Sequence, residues 1–194
     1  FALPLLAHLL IFTPLAVVLL ISGFTDLSRQ KIWNEVTYPG IVAGLLLSLV
    51  VYSPYEAVIH LVSVVGVFSI GILVMLPGWM GGGDIKLLMV VSAFLGPAGL
   101  IQSLLYSFAI GLIWALTYSI SKGYITQVFL NLWRMLRAVF RMLYYRTTNV
   151  SYGLKVEDQR SYIPFGAAIC LGVFCLYAEY RFGLEGLIYC MKQL

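Results

Sequence analysis

The sequence predicts an all-α membrane protein, a polytopic bundle of about six transmembrane helices with one further amphipathic helix at the membrane surface. Of its 194 residues, 61% are hydrophobic and only 10% are charged, and the mean hydropathy is +0.96. Soluble domains carry roughly 25% charged residues. The apolar residues also form runs close to the length of about 20 residues that crosses a bilayer as a helix.

Six apolar runs are candidates for crossing. The first, about 3–24, is expected to be a retained span, because neither a basic segment nor a small-residue cleavage site marks it as a signal peptide. The fourth is too short to cross a full bilayer alone and is separated from the fifth by Gly-Pro-Ala-Gly. The later runs cover about 36–52, 57–76, 84–95, 100–121 and 162–180. We expect a single domain, 1–194, with the loop 122–161 inside it.

The basic residues fall mainly on one side of this arrangement. With six crossings, the segments 25–35, 77–83 and 122–161 share a side. Ten of the twelve lysines and arginines lie at that side, and only Arg181 and Lys192 lie at the other. The positive-inside rule makes the basic side cytosolic. The net charge of +4 therefore reports membrane topology rather than nucleic-acid binding.

The long loop contains a basic amphipathic segment at 128–146. Arg134, Arg137 and Arg141 recur at helical spacing among apolar residues. Each arginine at mid-bilayer would cost roughly 2.5–3.5 kcal/mol, which argues against a seventh span. We expect a helix lying on the anionic cytosolic leaflet, and docking of a partner is the alternative.

Two aspartates lie where predicted spans meet the cytosolic side. Asp26 follows the first span, and Asp84 follows three glycines and opens the fourth. Because both lie at the same face and depth, we expect them to share one site. Two carboxylates within a few ångström cannot both ionise easily, so one keeps its proton near neutral pH. One can then take a proton from water while the other donates to a carbonyl oxygen, as in aspartic proteases.

The three glycines have two interpretations. Gly81, Gly82 and Gly83 permit positive φ and carry no side chain, so a substrate backbone could lie close to Asp84. Alternatively, glycines end one helix and the aspartate caps the next. Asp26 could likewise be a polar residue that caps a loop.

Three motifs in this chain resemble those of the type IV prepilin peptidases, a family of intramembrane aspartyl proteases. Gly-Gly-Gly-Asp at 81–84 is similar to the family's G-x-G-D motif, and Tyr-Ile-Pro-Phe-Gly at 162–166 is similar to the entry into its last span. The family's first aspartate motif is matched by Asp26, Ile32, Asn34 and Thr37. Trp33 stands where proline is usual, and because proline fixes φ we expect a less rigid loop here.

The resemblance implies that Asp26 and Asp84 are the catalytic pair of a membrane endopeptidase that needs no metal or cofactor. It implies a prepilin-like substrate with a short basic leader, cut at the cytosolic face of the inner membrane just before a hydrophobic helix. The chain resembles compact members that lack a methyltransferase region and accompany tight-adherence or similar pilus systems. The predicted substrate-binding residues are Gly81, Gly82, Gly83, Asn34, Thr37, Pro164, Phe165 and Gly166.

Other polar residues have weaker signals. Asn34 and Thr37 could orient Asp26 by hydrogen bonding or cap the second span. Lys86, two positions after Asp84, points elsewhere on a helix, and its ammonium group is expected to snorkel to the surface rather than to catalyse. The cysteines and histidines lack zinc-ligand spacing and are expected to pack or to make structural hydrogen bonds: Cys170, Cys175, Cys190, His8 and His60.

Two other functions fit parts of this pattern. In a non-catalytic membrane protein, such as a transporter subunit or a pilus or secretion assembly factor, Asp26 and Asp84 would be polar sites for ions or packing. A transporter would place acidic groups along a crossing path, whereas a peptidase needs two carboxyls within reach of one water. A presenilin-like protease is disfavoured because no Pro-Ala-Leu motif lies near the last span.

Overall fold

The protein is described here by a computed structural model that covers residues 5–76, 80–121, 133, 137 and 165–182. All regular elements within these ranges are α-helices, which confirms the predicted fold class. In chain order they are α1 (Leu5–Arg29), α2 (Asn34–Val51), α3 (Pro54–Met75), α4 (Gly82–Ser121) and α5 (Phe165–Phe182).

The chain divides into two compact units. The first consists of Phe1–Gly111 and Pro164–Leu194, and the second of Leu112–Ile163. In the predicted amphipathic segment of the second unit, the structure describes Trp133 and Arg137, which are both helical. The Arg137 guanidinium lies 5.5 Å from the Trp133 ring centroid, a cation–π contact one helical turn apart. The rest of that segment lies outside the described residues, and the single domain stays a prediction.

Four helical stretches are long and apolar enough to cross a bilayer, and the 165–180 stretch of α5 is a shorter apolar helix. Large apolar side chains are exposed along these helices, as expected of a surface that faces lipid rather than water. The protein is therefore a membrane protein, while the count of six crossings stays a prediction. The four stretches are Leu10–Arg29, Asn34–Val51, Pro54–Met75 and Gly82–Tyr118.

The first helix extends further than the sequence predicted. It ends at Arg29, where Gln30 adopts a left-handed φ of 52° and donates its N–H to the Asp26 carbonyl at 3.0 Å. Asp26 therefore lies inside the last turns of α1 and not in the following loop. The prediction ended the span where the apolar run ends, but a helix continues while its backbone hydrogen bonds are satisfied.

The fourth helix folds back on itself at Gly96. A Cβ on Gly83, near its start, would lie 3.2 Å from Ile32, and one on Gly111 would lie 3.7 Å from Phe165 at the start of α5. A Cβ on Gly166, the next residue of α5, would also approach Ile32, at 2.9 Å. Gly83 and Gly111 thus both lie near the start of α5, although a straight helix between them would span roughly 40 Å. The two halves run in opposite directions, as predicted for the fourth and fifth segments.

The bend is stabilised from α3. Gly96 has φ 67° and ψ −171°, a region that only glycine adopts readily. Pro97 has no N–H to donate to the Ala93 carbonyl one turn earlier. Nδ1 of His60 donates to this carbonyl instead, at 2.9 Å. The prediction that His60 makes a structural hydrogen bond is confirmed. A Cβ on Gly96 would lie 2.6 Å from Nε2 of His60, so the close approach itself requires glycine.

Candidate active site

Asp26 is buried at the contact between α1 and α5. Asp26 is 1% exposed, and its Oδ2 accepts a hydrogen bond from the backbone N–H of Ala167 at 3.1 Å. Ala167 lies in the first turn of α5, where backbone N–H groups have no partner inside the helix. A Cβ on the neighbouring Gly166 would lie 2.7 Å from Oδ2. The α5 backbone therefore holds the Asp26 carboxyl from one side.

Ile32 connects this contact to the start of α4. Its side chain is 8% exposed and lies between two glycines that allow it to approach. A Cβ on Gly166 would be 2.9 Å from Ile32 Cδ1, and a Cβ on Gly83 would be 3.2 Å from Ile32 Cβ. The loop between α1 and α2 thus packs against the beginnings of both α4 and α5. Asp26 and Asp84 flank this contact.

Asp84 is the third residue of α4 and is half-buried. Its carboxyl accepts a hydrogen bond from the Gly81 backbone, and it interacts electrostatically with Asp26. The bond to Gly81 satisfies one of the free N–H groups at a helix start, as the third residue of a capping box does. The capping interpretation and the paired-carboxylate interpretation are therefore compatible, since one side chain serves both.

The packing of α1, α2 and α4 places the aspartates at one depth. A Cβ on Gly40 would lie 3.3 Å from Val18 and 3.4 Å from Val90, so these three residues share a layer of the bundle. From this layer, Asp26 is about 12 Å further along α1, and Asp84 is about 9 Å back along α4, at 1.5 Å per residue. Because α1 and α4 run in opposite directions here, both carboxyls lie toward the same end of the bundle, the carboxylate end.

Of the two properties that the sequence indicates for the glycines before Asp84, freedom to adopt positive φ and lack of a side chain, the structure uses the second. Among the glycines that the structure describes, only Gly96 has positive φ, so Gly81, Gly82 and Gly83 are not used for that freedom. Because they carry no side chain, they leave room for neighbouring side chains. A Cβ on Gly81 would lie 3.3 Å from Oδ2 of Asp84, and one on Gly82 would make only an ordinary contact with the Met75 sulfur, 3.6 Å away.

Asn34 and Lys86 join the two aspartate motifs. The Lys86 ammonium donates to Oδ1 of Asn34 at 2.7 Å and lies 5.4 Å from the Tyr38 ring centroid. Lys86 therefore reaches across to α2, a contact that the sequence pattern did not indicate. The Thr37 hydroxyl points to its own helix, donating to the carbonyls of Trp33 at 3.3 Å and Asn34 at 3.5 Å. These bonds stay within the first turn of α2 and satisfy none of its free N–H groups, and α2 has no side-chain cap bond, so the capping interpretation of Thr37 is not supported.

Trp33 takes over the backbone geometry expected of proline. It precedes α2 with φ −80° and ψ 130°, at the edge of the φ range of about −65 ± 15° that a proline ring imposes. Its carbonyl accepts the N–H groups of Val36 and Thr37 at 3.3 and 3.2 Å, and the Arg29 guanidinium lies 5.3 Å from its ring centroid. The departure from the motif therefore preserves the local conformation.

The remaining predicted residues lie at the start of α5. Phe165 is half-buried and packs on Phe108, with ring centroids 5.5 Å apart. Gly166 contacts Asp26 as described above, and Pro164 lies outside the described residues. One contributor was missed, the Ala167 N–H, because no side-chain motif reveals a backbone donor.

Comparison with known proteins agrees with these motifs. The sequence model of the type IV leader peptidase family matches residues 14–116, which is more than half of the chain and includes both aspartates. No curated protein and no solved structure matches the chain. The extent of this match establishes that the chain belongs to the type IV leader peptidase family.

Proposed function

We propose that this protein is a membrane aspartyl endopeptidase in which Asp26 and Asp84 together activate a water molecule. The observation that carries the proposal is that the two carboxyls lie toward the same end of the bundle, near enough for the charge of one to affect the other. They come from different helices at the same end of a bundle that belongs to a peptidase family. The contact chain from Gly166 through Ile32 to Gly83 supports the same arrangement.

The chemistry follows from sharing one proton between two carboxyls. The ionised carboxylate takes a proton from water, whose oxygen attacks the carbonyl carbon of the scissile peptide bond. The protonated carboxyl donates to the carbonyl oxygen, and a proton then passes to the departing nitrogen as the carbon–nitrogen bond breaks. The fixed position of Asp26, held by the Ala167 N–H, provides the preorganisation that such proton transfers need.

The proposed substrate is a prepilin-like precursor with a short basic leader and a hydrophobic helix. Family membership supports substrates of this class. The basic residues Arg29, Lys31 and Lys86, which lie close in sequence to the two aspartates, favour placing that end at the cytosolic face of the inner membrane. The precursor's hydrophobic helix would then remain in the bilayer while the bond before it reaches the carboxylates. Gly81, Gly83 and Gly166 are proposed to keep this approach free of side chains.

Carboxylate-to-amide substitutions test the proposal. Asp26→Asn and Asp84→Asn keep the side-chain volume but remove the base, and each is expected to abolish cleavage while the protein still inserts and folds. Glu56→Gln is the matched control, because Glu56 lies in the first turn of α3, at the opposite end of α2 from the carboxylates. Detergent-purified variants would be incubated with a precursor and followed on gels. Processing near the wild-type rate by either aspartate variant would refute its role.

The same assay separates the proposal from a non-catalytic function. A transporter subunit or assembly factor would show no cleavage by the wild-type protein, and the aspartate variants would change only stability or assembly. EDTA is expected to leave cleavage intact, since the proposed mechanism uses no metal. Inhibition by EDTA that added zinc reverses would contradict the two-carboxylate mechanism.

A further inference from the structure

Ser22 is a buried hydroxyl close to Asp26 that the mechanism above does not use. It is 1% exposed, and its Oγ has no hydrogen-bond partner among the described residues. A buried hydroxyl without a partner destabilises the folded state, so such groups usually bind protein or water. Ser22 lies four residues before Asp26, on the same face of α1 and about 6 Å along the helix axis.

The helix register places a second buried hydroxyl at the depth of Ser22. The layer formed by Val18, Gly40 and Val90 is one turn away from Ser22 on α1. One turn toward the carboxylate end, the matching position on α2 is Thr37, which is 0% exposed. The hydroxyls of Ser22 and Thr37 therefore lie about one helical turn deeper in the bundle than the Asp26 carboxylate.

The two hydroxyls do not bond to each other, but they have complementary capacity. The Thr37 hydroxyl uses its proton on carbonyls of its own first turn, so its oxygen can still accept. The Ser22 hydroxyl can both donate and accept. Polar groups that lie near each other beyond direct hydrogen-bond distance are commonly bridged by water. A buried water typically makes about three hydrogen bonds, and the third partner within reach is a carboxylate.

We propose that Ser22 is a positioning residue whose hydroxyl, together with the Thr37 oxygen, holds a buried water that hydrogen-bonds to the Asp26 carboxylate. Two hydrogen bonds of about 2.8 Å each cover the distance of one helical turn between Ser22 and Asp26. The Ala167 N–H holds Oδ2 of Asp26 from the α5 side. The water would hold the same carboxylate from the side of Ser22 and Thr37. The inference rests on the proposed function, since it assigns Ser22 a role in orienting a catalytic group.

Ser22→Ala tests the inference, with Ser48→Ala as the matched control. Ser48 is 2% exposed, and its hydroxyl donates within α2 to the Leu45 carbonyl at 2.8 Å. It lies near the opposite end of α2 from the carboxylates. Both variants remove the same atoms from a buried serine. We expect Ser22→Ala to lower kcat roughly five- to tenfold at unchanged KM, and Ser48→Ala to leave both near wild type.

Melting curves on the same purified variants give a readout that does not depend on cleavage. If Ser22 holds a water, Ser22→Ala removes one of that water's partners and Tm falls below the wild-type value. If the hydroxyl has no partner, removing it is neutral or stabilising. A Tm at or above wild type overturns the inference, and so does a kcat within twofold of Ser48→Ala. A wild-type protein that cleaves no precursor contradicts the proposed function instead, and the Tm comparison then decides on the water site alone.

Discussion

Replacing Gly166 by alanine would press a methyl group directly onto a proposed catalytic carboxyl. The added Cβ would lie 2.7 Å from Oδ2 of Asp26 and 2.9 Å from Cδ1 of Ile32. The first distance is about 0.7 Å short of ordinary van der Waals contact, which begins near 3.4 Å. Either α5 or the Asp26 carboxyl must therefore move, and the 3.1 Å hydrogen bond from Ala167 cannot persist unchanged.

The size of the effect follows from these distances. Overpacking of this kind costs about 1–3 kcal/mol of stability. A displacement approaching 1 Å at a catalytic group can cost about 100-fold in rate. We therefore expect Gly166→Ala to lower kcat by roughly 10- to 100-fold with a modest decrease in Tm. Initial rates of precursor cleavage and melting curves, measured on one detergent-purified preparation, give both numbers.

Gly111→Ala is the matched control for this prediction. It also faces the start of α5, but its added Cβ would make ordinary contacts of 3.7 Å with Phe165 and 3.8 Å with Ala168. Cleavage by this variant should stay near wild type, and its helix should gain up to about 1 kcal/mol from alanine's higher propensity. Wild-type cleavage by a folded Gly166→Ala variant would show that Asp26 is not held by α5, or that its position does not matter for cleavage.

Two further predictions concern the glycines before Asp84 and the bend of α4. Gly81→Ala and Gly83→Ala should slow cleavage severalfold at nearly unchanged Tm, because their methyl groups would press on Asp84 and Ile32 at 3.3 and 3.2 Å, whereas Gly82→Ala should cleave normally. Equal rates for all three variants in a gel assay would contradict this order. His60→Ala should lower the free energy of unfolding by about 1–3 kcal/mol, because it leaves the Ala93 carbonyl without its donor, while kcat of the folded fraction is retained. An unchanged Tm would contradict the structural role of His60.

Local patterns in the sequence predicted much of the fold and the identity of the candidate pair. Apolar run lengths located the helices, and the break at Gly96 and Pro97 was recognised from its residues. Charge asymmetry placed Asp26 and Asp84 at one end, and the helix register agrees. The positive φ of Gly96 by itself requires glycine, but the close approach of His60 was not predictable, because His60 lies far away in the chain.

The finer geometry of the site depends on long-range packing. Nothing in the pattern around Ile32 indicates that it lies between Gly83 and Gly166, since this results from the docking of the α1–α2 loop against the starts of α4 and α5. Which of the two properties of the glycines before Asp84 the site uses, positive φ or the lack of a side chain, could not be predicted for a related reason. Glycine in a sequence signals either backbone freedom or space for a neighbour, and only the neighbour's position distinguishes the two.

His60, Gly96 and Pro97 can change only as a set. A side chain at Gly96 would need a different backbone conformation at the bend, because φ is 67°, and would also need the imidazole removed. Without the imidazole, however, the Ala93 carbonyl loses its donor. A residue with an N–H in place of Pro97 could supply that donor, but it would favour a continuous helix where the chain must turn back. Mutational scans that vary one position at a time should therefore find all three intolerant. Related chains that diverge here should exchange the three residues together, so their covariation would mark the contact between α3 and the bend.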